Sequence, residues 1–146
     1  MATVSNCNLP EDLYYVVEKH VWARHDDGVV TVGLTDVAQN LAKGIISVSP
    51  KKVGRRVEAG KSVATVESSK WVGPVPSPVN GEIIEVNDAA VADPGIVNRE
   101  PYEGGWIAKV RPDDWAGDSA GLATGDAGIA AYTAFLEKEG ITCGGG

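Results

Sequence analysis

Several residue types are scarce in this 146-residue chain: it holds two cysteines, two histidines, one methionine and one phenylalanine. Cys7 and Cys143 lie near opposite ends and form no CxxC spacing, so no disulfide framework is expected from them. His20 and His25 are too few for a clustered metal site or a serine–histidine centre, so neither a metal nor catalytic residues are expected. Bases are also outnumbered: 13 Lys and Arg against 20 Asp and Glu leave a net charge of −7. A field of that sign repels phosphate backbones and anionic lipid, which excludes nucleic acid and membrane as natural partners and favours a basic protein face. No apolar run approaches the ~20 residues of a membrane span, and no charged-then-apolar leader opens the sequence. A cytoplasmic protein is expected.

What the chain does have is 18 glycines and 8 prolines spread between short β-type segments. Val29–Leu34, Ile45–Val48, Val63–Val66, Glu82–Val86 and Trp106–Val110 read as strands. Turn signals separate them at His25–Gly28, Val53-Gly54, Ala59-Gly60, Ser77-Pro78 and Asn80-Gly81. Short strands joined by tight turns predict a mainly β fold, an antiparallel flattened barrel or sandwich. Thr35 or Asp36 can cap a short helix through Val37, Ala38, Leu41 and Ala42, with Gly44 as its stop. Ile129, Tyr132, Phe135 and Leu136 fall at helical spacing before Gly140, which predicts a C-terminal helix on the sheet. Asp113–Asp126 reads as a loose connection or a poorly formed helix. One domain over 13–139 is expected, with an N-terminal segment at 1–12 and a flexible tail at 140–146. A faint echo links Val32–Ala38 to Ile84–Ala90, each an apolar strand end running into Asp and small residues, as in a sheet of two similar halves.

The most specific stretch is Val63–Val86, VATVESSKWVGPVPSPVNGEIIEV. A strand pattern leads into Glu67-Ser68-Ser69-Lys70 and then Trp71, which places Lys70 at or near the tip of a turn. Most turn lysines are only solvated. Chemistry that acylates a lysine, however, needs this presentation, because the modifying enzyme must engulf the side chain.

VESSK followed by SPVNGEIIEVN resembles the lipoyl-attachment hairpin of the glycine cleavage H proteins. His20-Val21-Trp22 resembles the family's early His-x-Trp element, and Thr31–Gln39 its strand-to-helix signature. Asn98–Trp106 resembles its Asn-x-x-Pro-Tyr-x-x-Gly-Trp segment, and Ala131–Leu136 its closing helix. The resemblance spans about Leu13 to Glu139. It implies a flattened sandwich of two sheets plus helices, and lipoate in amide linkage to Lys70. Glu67, Ser68, Ser69 and Gly81 then belong to the turn that the lipoate-attachment enzyme recognises, while Trp71, Val72 and His20 are arm contacts. The protein itself is then a non-catalytic carrier, the cofactor supplying the reactivity. Biotin is the competing attachment, but biotinyl hairpins flank their lysine with methionine, and here the neighbours are Ser69 and Trp71.

Where the family pattern shelters an ammonium with a serine, a glutamate and a second acid, this chain has Lys19, Val21 and Pro74. Gly44–Val48 also lacks the acidic and aromatic residues usual after the first helix. These departures, the Asn6–Leu13 opening, Trp71 and the terminal cysteines resemble the lipoate-binding proteins of the heterodisulfide-reductase-like sulfur-oxidation system. That resemblance implies sulfur as cargo, with a heterodisulfide-reductase-like complex and a dihydrolipoamide dehydrogenase-like enzyme as partners. The alternative is a glycine cleavage carrier of an aminomethyl group, serving glycine decarboxylase and aminomethyltransferase. An unmodified scaffold domain is a third reading, and a small monomer suits any shuttle. Cys7 and Cys143 are expected as free thiols on mobile ends, with exchange against the dithiolane as the alternative. His20 is expected to pack beside Trp22, although it could hydrogen-bond a sulfur adduct. Trp22, Trp106 and Trp115 are expected to be packing residues, and Lys51-Lys52 with Arg55-Arg56 a solvated basic turn.

Overall fold

The computed structural model describes residues 2–143. The chain opens with a hairpin of β1 (Ala2–Val4) and β2 (Cys7–Leu9), then β3 (Tyr14–Val16), a 3-10 turn at Val17–Lys19, β4 (Val21–Asp26) and β5 (Val29–Leu34). Helix α1 (Asp36–Ala42) leads into β6 (Ile45–Pro50), β7 (Arg56–Val57), β8 (Ser62–Ser68), β9 (Val72–Pro76) and β10 (Gly81–Val86). Two short helices, α2 (Asp88–Ala92) and α3 (Ile96–Arg99), precede β11 (Ala108–Pro112), α4 (Trp115–Ser119), β12 (Ala123–Thr124) and the closing helix α5 (Gly125–Glu139).

Two main sheets result. One has seven strands in the order β12-β3-β4-β5-β11-β10-β7, and the other three in the order β6-β8-β9. The expected mainly β architecture of two sheets with a C-terminal helix is present, and the β1–β2 hairpin is added to it. Alternation along β4 shows how the layers form. Val21 and Ala23 join Val30, Val32, Ile83 and Val110 of their own sheet, and Val48, Val63, Val66 and Val75 of the other, in one buried core. Trp22, pointing to the opposite face as strand pleating requires, joins Tyr15, Val37, Tyr132 and Leu136 in a second core beneath α5. The indole of Trp22 lies across Gly33, its partner on β5, where even a Cβ would come within 2.5 Å of the ring.

The echo between Val32–Ala38 and Ile84–Ala90 corresponds to two strand-to-helix corners. The Thr35 side chain caps α1 by accepting from the Ala38 amide, and Asn87 caps α2 by accepting from the Ala89 amide. Each satisfies an amide that the first helical turn leaves without a partner. Gly140 takes the left-handed C-cap of α5, as its placement predicts. At α1, however, the left-handed position falls on Lys43 (φ 65°, ψ −150°) instead of Gly44.

Several expectations are corrected. Asp113–Asp126 is structured: Asp114 caps α4, and β12 pairs with β3 as a sheet edge. Trp106 and Ile107 precede β11, and the Trp106 carbonyl is taken up by the Asn87 side chain. Val4, Cys7 and Leu9 near one end and Ile141 and Cys143 near the other pack in the second core. Cys7 and Leu9 are fully buried in the second core, and Cys143 is 3% exposed. The two cysteines are not the free thiols expected but are joined in a disulfide that spans 136 positions. Residues 144–146 of the expected tail lie outside the described residues. Among the described residues, no helix is long and apolar enough to cross a membrane.

Candidate functional site

Strands β8 and β9 pair antiparallel, with Glu67 opposite Val72, and the connection between them carries Lys70. Its shape comes from Ser68, which is 6% exposed. The Ser68 amide donates to the Trp71 carbonyl at 2.7 Å, and its hydroxyl oxygen accepts from the Lys70 and Trp71 amides at 3.2 and 3.0 Å. A serine side chain thus replaces the missing rungs of the ladder. Ser69, whose amide donates to the Gly44 carbonyl at 3.1 Å, ties the tip to the α1–β6 loop. Lys70 itself is exposed, with Glu67 and Ser69 exposed beside it.

The lysine opens onto a cleft of about 620 Å³ along the edge of β9. Trp71, Pro74, Pro76 and Gly60 form one wall; Leu34, Ala38, Leu41 and Ala42 form the other, with Glu18, Lys19 and His20 at its polar part. Proline can occupy β9 because this strand is the edge of its sheet, where no neighbour needs its missing amide. Those prolines disguise β9 in the sequence, where no strand is expected between Val66 and Glu82. The Trp71 indole folds back over Gly73, where an added Cβ would lie 2.3 Å from the ring. The residue therefore does two things: it packs on its own strand, and at 41% exposure it presents an apolar face to the cleft.

His20 reaches the cleft from the 3-10 turn, in a left-handed conformation (φ 58°). Its Nδ1 shares a hydrogen bond with the Tyr132 hydroxyl at 2.5 Å, and that hydroxyl meets Thr35 Oγ1 at 3.0 Å. The ring stacks on Tyr132 and meets Phe135 edge-on. Burial lowers the His20 imidazole to about 4, so the ring is neutral near pH 7. The same desolvation raises the Tyr132 hydroxyl well above its usual range, so it stays protonated. The aromatic neighbours of His20 are thus Tyr132 and Phe135, rather than the Trp22 that its spacing suggests.

Of the residues singled out in the sequence, Lys70, Trp71 and His20 converge on the cleft. Val72 does not line it: the side chain is 64% exposed at the start of β9. Gly81 lies in β10 of the other sheet, where an added Cβ would stand 2.1 Å from the Arg111 carbonyl. Close packing of β10 on β11 explains that glycine. The departures from the ammonium-sheltering pattern separate as well. Lys19 and Pro74 line the cleft, but Val21 is fully buried in the first core and says nothing about cargo. Glu18, which carries no motif of its own, is among the residues that line the cleft; its one signal in the sequence is its position next to Lys19. Cys7 and Cys143, bonded and buried, are not among the cleft residues. In the basic turn Arg56 pairs with Asp113, while Lys52 and Arg55 are exposed. Trp115 packs between Tyr14 and His25, and Trp106 lies under Lys109.

An exposed lysine on a serine-braced hairpin, beside a largely apolar cleft, is the presentation found in carrier-type domains. The glycine cleavage H-protein family matches residues 13–137, and the chain belongs to that family. It is 46% identical to glycine cleavage system H protein 5 of Aquifex aeolicus (strain VF5), over 99% of this chain and 100% of that one. A probable glycine cleavage system H protein 2 of Saccharolobus solfataricus is 42% identical over 98% of each chain. The crystal structure of a glycine cleavage system H protein from Mycobacterium marinum superposes with a TM-score of 0.76 at 33% identity, covering 91% of this chain and 100% of that one.

Proposed function

We propose that the chain is a non-catalytic carrier that holds lipoate in amide linkage to Lys70 and moves a group between enzymes in the cytoplasm. The observation that supports this most is the presentation of Lys70: an exposed amine on a turn fixed by Ser68 and Ser69, facing an apolar cleft. Those residues suit the group. Amide formation removes the lysine charge, and Leu34, Ala38, Leu41, Trp71 and Pro74 offer apolar surface to a methylene chain. When attached, lipoate supplies a strained cyclic disulfide whose thiols accept and release a carried group. The chain's own residues fix where the amine stands and what the cleft shelters.

The cargo we favour is the aminomethyl group of glycine cleavage, exchanged with glycine decarboxylase and aminomethyltransferase. The family and the relatives' names point that way. Glu18 lines the cleft, and an acid at its rim suits an ammonium. Neutral His20 adds no opposing charge. Sulfur as cargo, passed to a heterodisulfide-reductase-like complex, is the second reading. What favours it is Lys19 and Pro74 in the cleft, where a like charge and an apolar ring stand in place of a hydroxyl and an acid.

A loading assay separates the two. Lipoylated protein incubated with glycine decarboxylase, pyridoxal phosphate and glycine is expected to gain an aminomethyl group by mass. Absence of loading, with sulfur gained from a heterodisulfide-reductase-like complex, reverses the order.

A further inference from the structure

Asn98, on α3, makes three side-chain hydrogen bonds into the loop that braces the Lys70 turn. Its Oδ1 accepts from the Ile45 amide at 2.9 Å, and its Nδ2 donates to the Lys43 carbonyl at 2.8 Å and to Gln39 Oε1 at 3.1 Å. One carboxamide thus brackets Gly44 on both sides. The Ile45 amide and the Gly44 carbonyl belong to the same planar trans peptide unit, so fixing one fixes the direction of the other. That carbonyl is the acceptor for the Ser69 amide at 3.1 Å, one residue before Lys70.

The loop would not hold this shape unaided. Lys43 occupies φ 65°, ψ −150°, a region where a residue with a Cβ is strained and persists only when its surroundings over-determine it. Here the surroundings are Gln39, whose carbonyl accepts from the Lys43 amide at 2.9 Å, and Asn98 on the Lys43 carbonyl. Lys43 and Gly44 are both exposed, so solvent offers these peptide groups other partners once Asn98 is gone.

We propose that Asn98 is a positioning residue for acylation of Lys70: acting through the Gly44–Ile45 peptide, it orients the carbonyl that anchors Ser69 and so sets how the amine meets the attachment enzyme. The inference rests on Lys70 as the lipoate site.

The test is steady-state transfer of lipoate to Lys70 by a lipoate–protein ligase with ATP and lipoate, at varied carrier concentration. Thermal unfolding and amide exchange of Ser69 are recorded alongside. Asn98→Leu removes both halves of the bracket and is expected to lower kcat/KM for the carrier about tenfold, a factor that corresponds to one hydrogen bond. Ser69 amide protection falls with it. Asn98→Asp keeps the acceptor for the Ile45 amide but loses the donor to the Lys43 carbonyl and Gln39, and is expected to fall between the wild type and Asn98→Leu. Adding Lys43→Gly to Asn98→Leu removes the left-handed strain and is expected to recover part of the loss. Wild-type rates in folded Asn98→Leu, or equal slowing by Leu and Asp, overturn the proposal. If Asn98→Leu does not fold, Asn98→Asp decides: slower transfer with lower Ser69 protection supports the proposal, and wild-type values of both overturn it. A wild-type protein that the ligase never acylates refutes the Lys70 reading instead.

Discussion

Cys7 and Cys143 stand 4.9 Å apart at their Cα atoms and are joined covalently, although 136 positions separate them in sequence. The bond closes the β1–β2 hairpin against the segment that follows α5. Two hydrogen bonds reinforce this clamp. The Cys143 amide donates to the Ser5 carbonyl at 2.9 Å, and the Asn8 amide donates to an Asp36 carboxylate oxygen, also at 2.9 Å. Through Asp36 the clamp reaches α1, whose Ala38, Leu41 and Ala42 are one wall of the cleft.

Closing a loop of that length removes entropy from the unfolded chain worth up to about 5 kcal/mol. Cys143→Ser is therefore expected to lower the denaturation midpoint well below that of the oxidised wild type. The same loss should follow when the wild type is unfolded and refolded under reductant. Both cysteines are buried, so thiols reach them only after the hairpin opens. Equal midpoints for oxidised wild type and Cys143→Ser count against a stabilising disulfide.

His20 gives the stability a pH dependence. Its folded value of about 4 lies below the unfolded 6.5, so between these values the unfolded chain binds more protons. The contribution is complete above about pH 6.5 and is lost as pH falls toward 4, on the order of 3 kcal/mol over the whole window. Urea denaturation of wild type and His20→Gln at pH 7 and pH 4.5 measures it. The wild type is expected to lose more stability than the variant, and parallel losses contradict the assignment.

Gly73→Ala tests the seat of Trp71. A methyl group there collides with the indole, so the ring must leave its place over β9. The expected cost is about 1–3 kcal/mol, with a shifted indole resonance for Trp71 in the NMR spectrum. An unshifted resonance shows that the strand gives way instead.

Gly81→Ala separates packing from recognition. Its Cβ would press on the Arg111 carbonyl, so a lower melting temperature is expected, from a loss of about 1–3 kcal/mol. At a temperature where the variant stays folded, lipoate transfer to Lys70 should match the wild type. Slowed transfer in the folded variant would return Gly81 to the recognition surface.

How far the sequence reveals this molecule follows from which interactions are local. The Val29–Leu34 strand, the Thr35 cap and the Gly140 stop depend on neighbours a few residues away, and each is legible. The Lys70 turn is legible too, because its bracing serine sits two positions before it. Contacts that join distant positions leave no such trace. The disulfide, the His20–Tyr132–Thr35 chain and the hold of Asn98 on Lys43 bridge residues that have no periodicity in common. Strand β9 is hidden for another reason: two prolines and a glycine in five residues imitate a turn, and only its place at a sheet edge permits them. The placements of Glu18 and Val21 are hidden because a 3-10 turn and a left-handed His20 set which side chains face the cleft.

The central claim is the acylation of one amine, and intact mass tests it most directly. Protein isolated from lipoate-replete cells, beside a Lys70→Arg variant made in the same host, is expected to carry one lipoyl group on the wild type and none on the variant. A wild type at its unmodified mass, or a variant that still carries the group, contradicts the account.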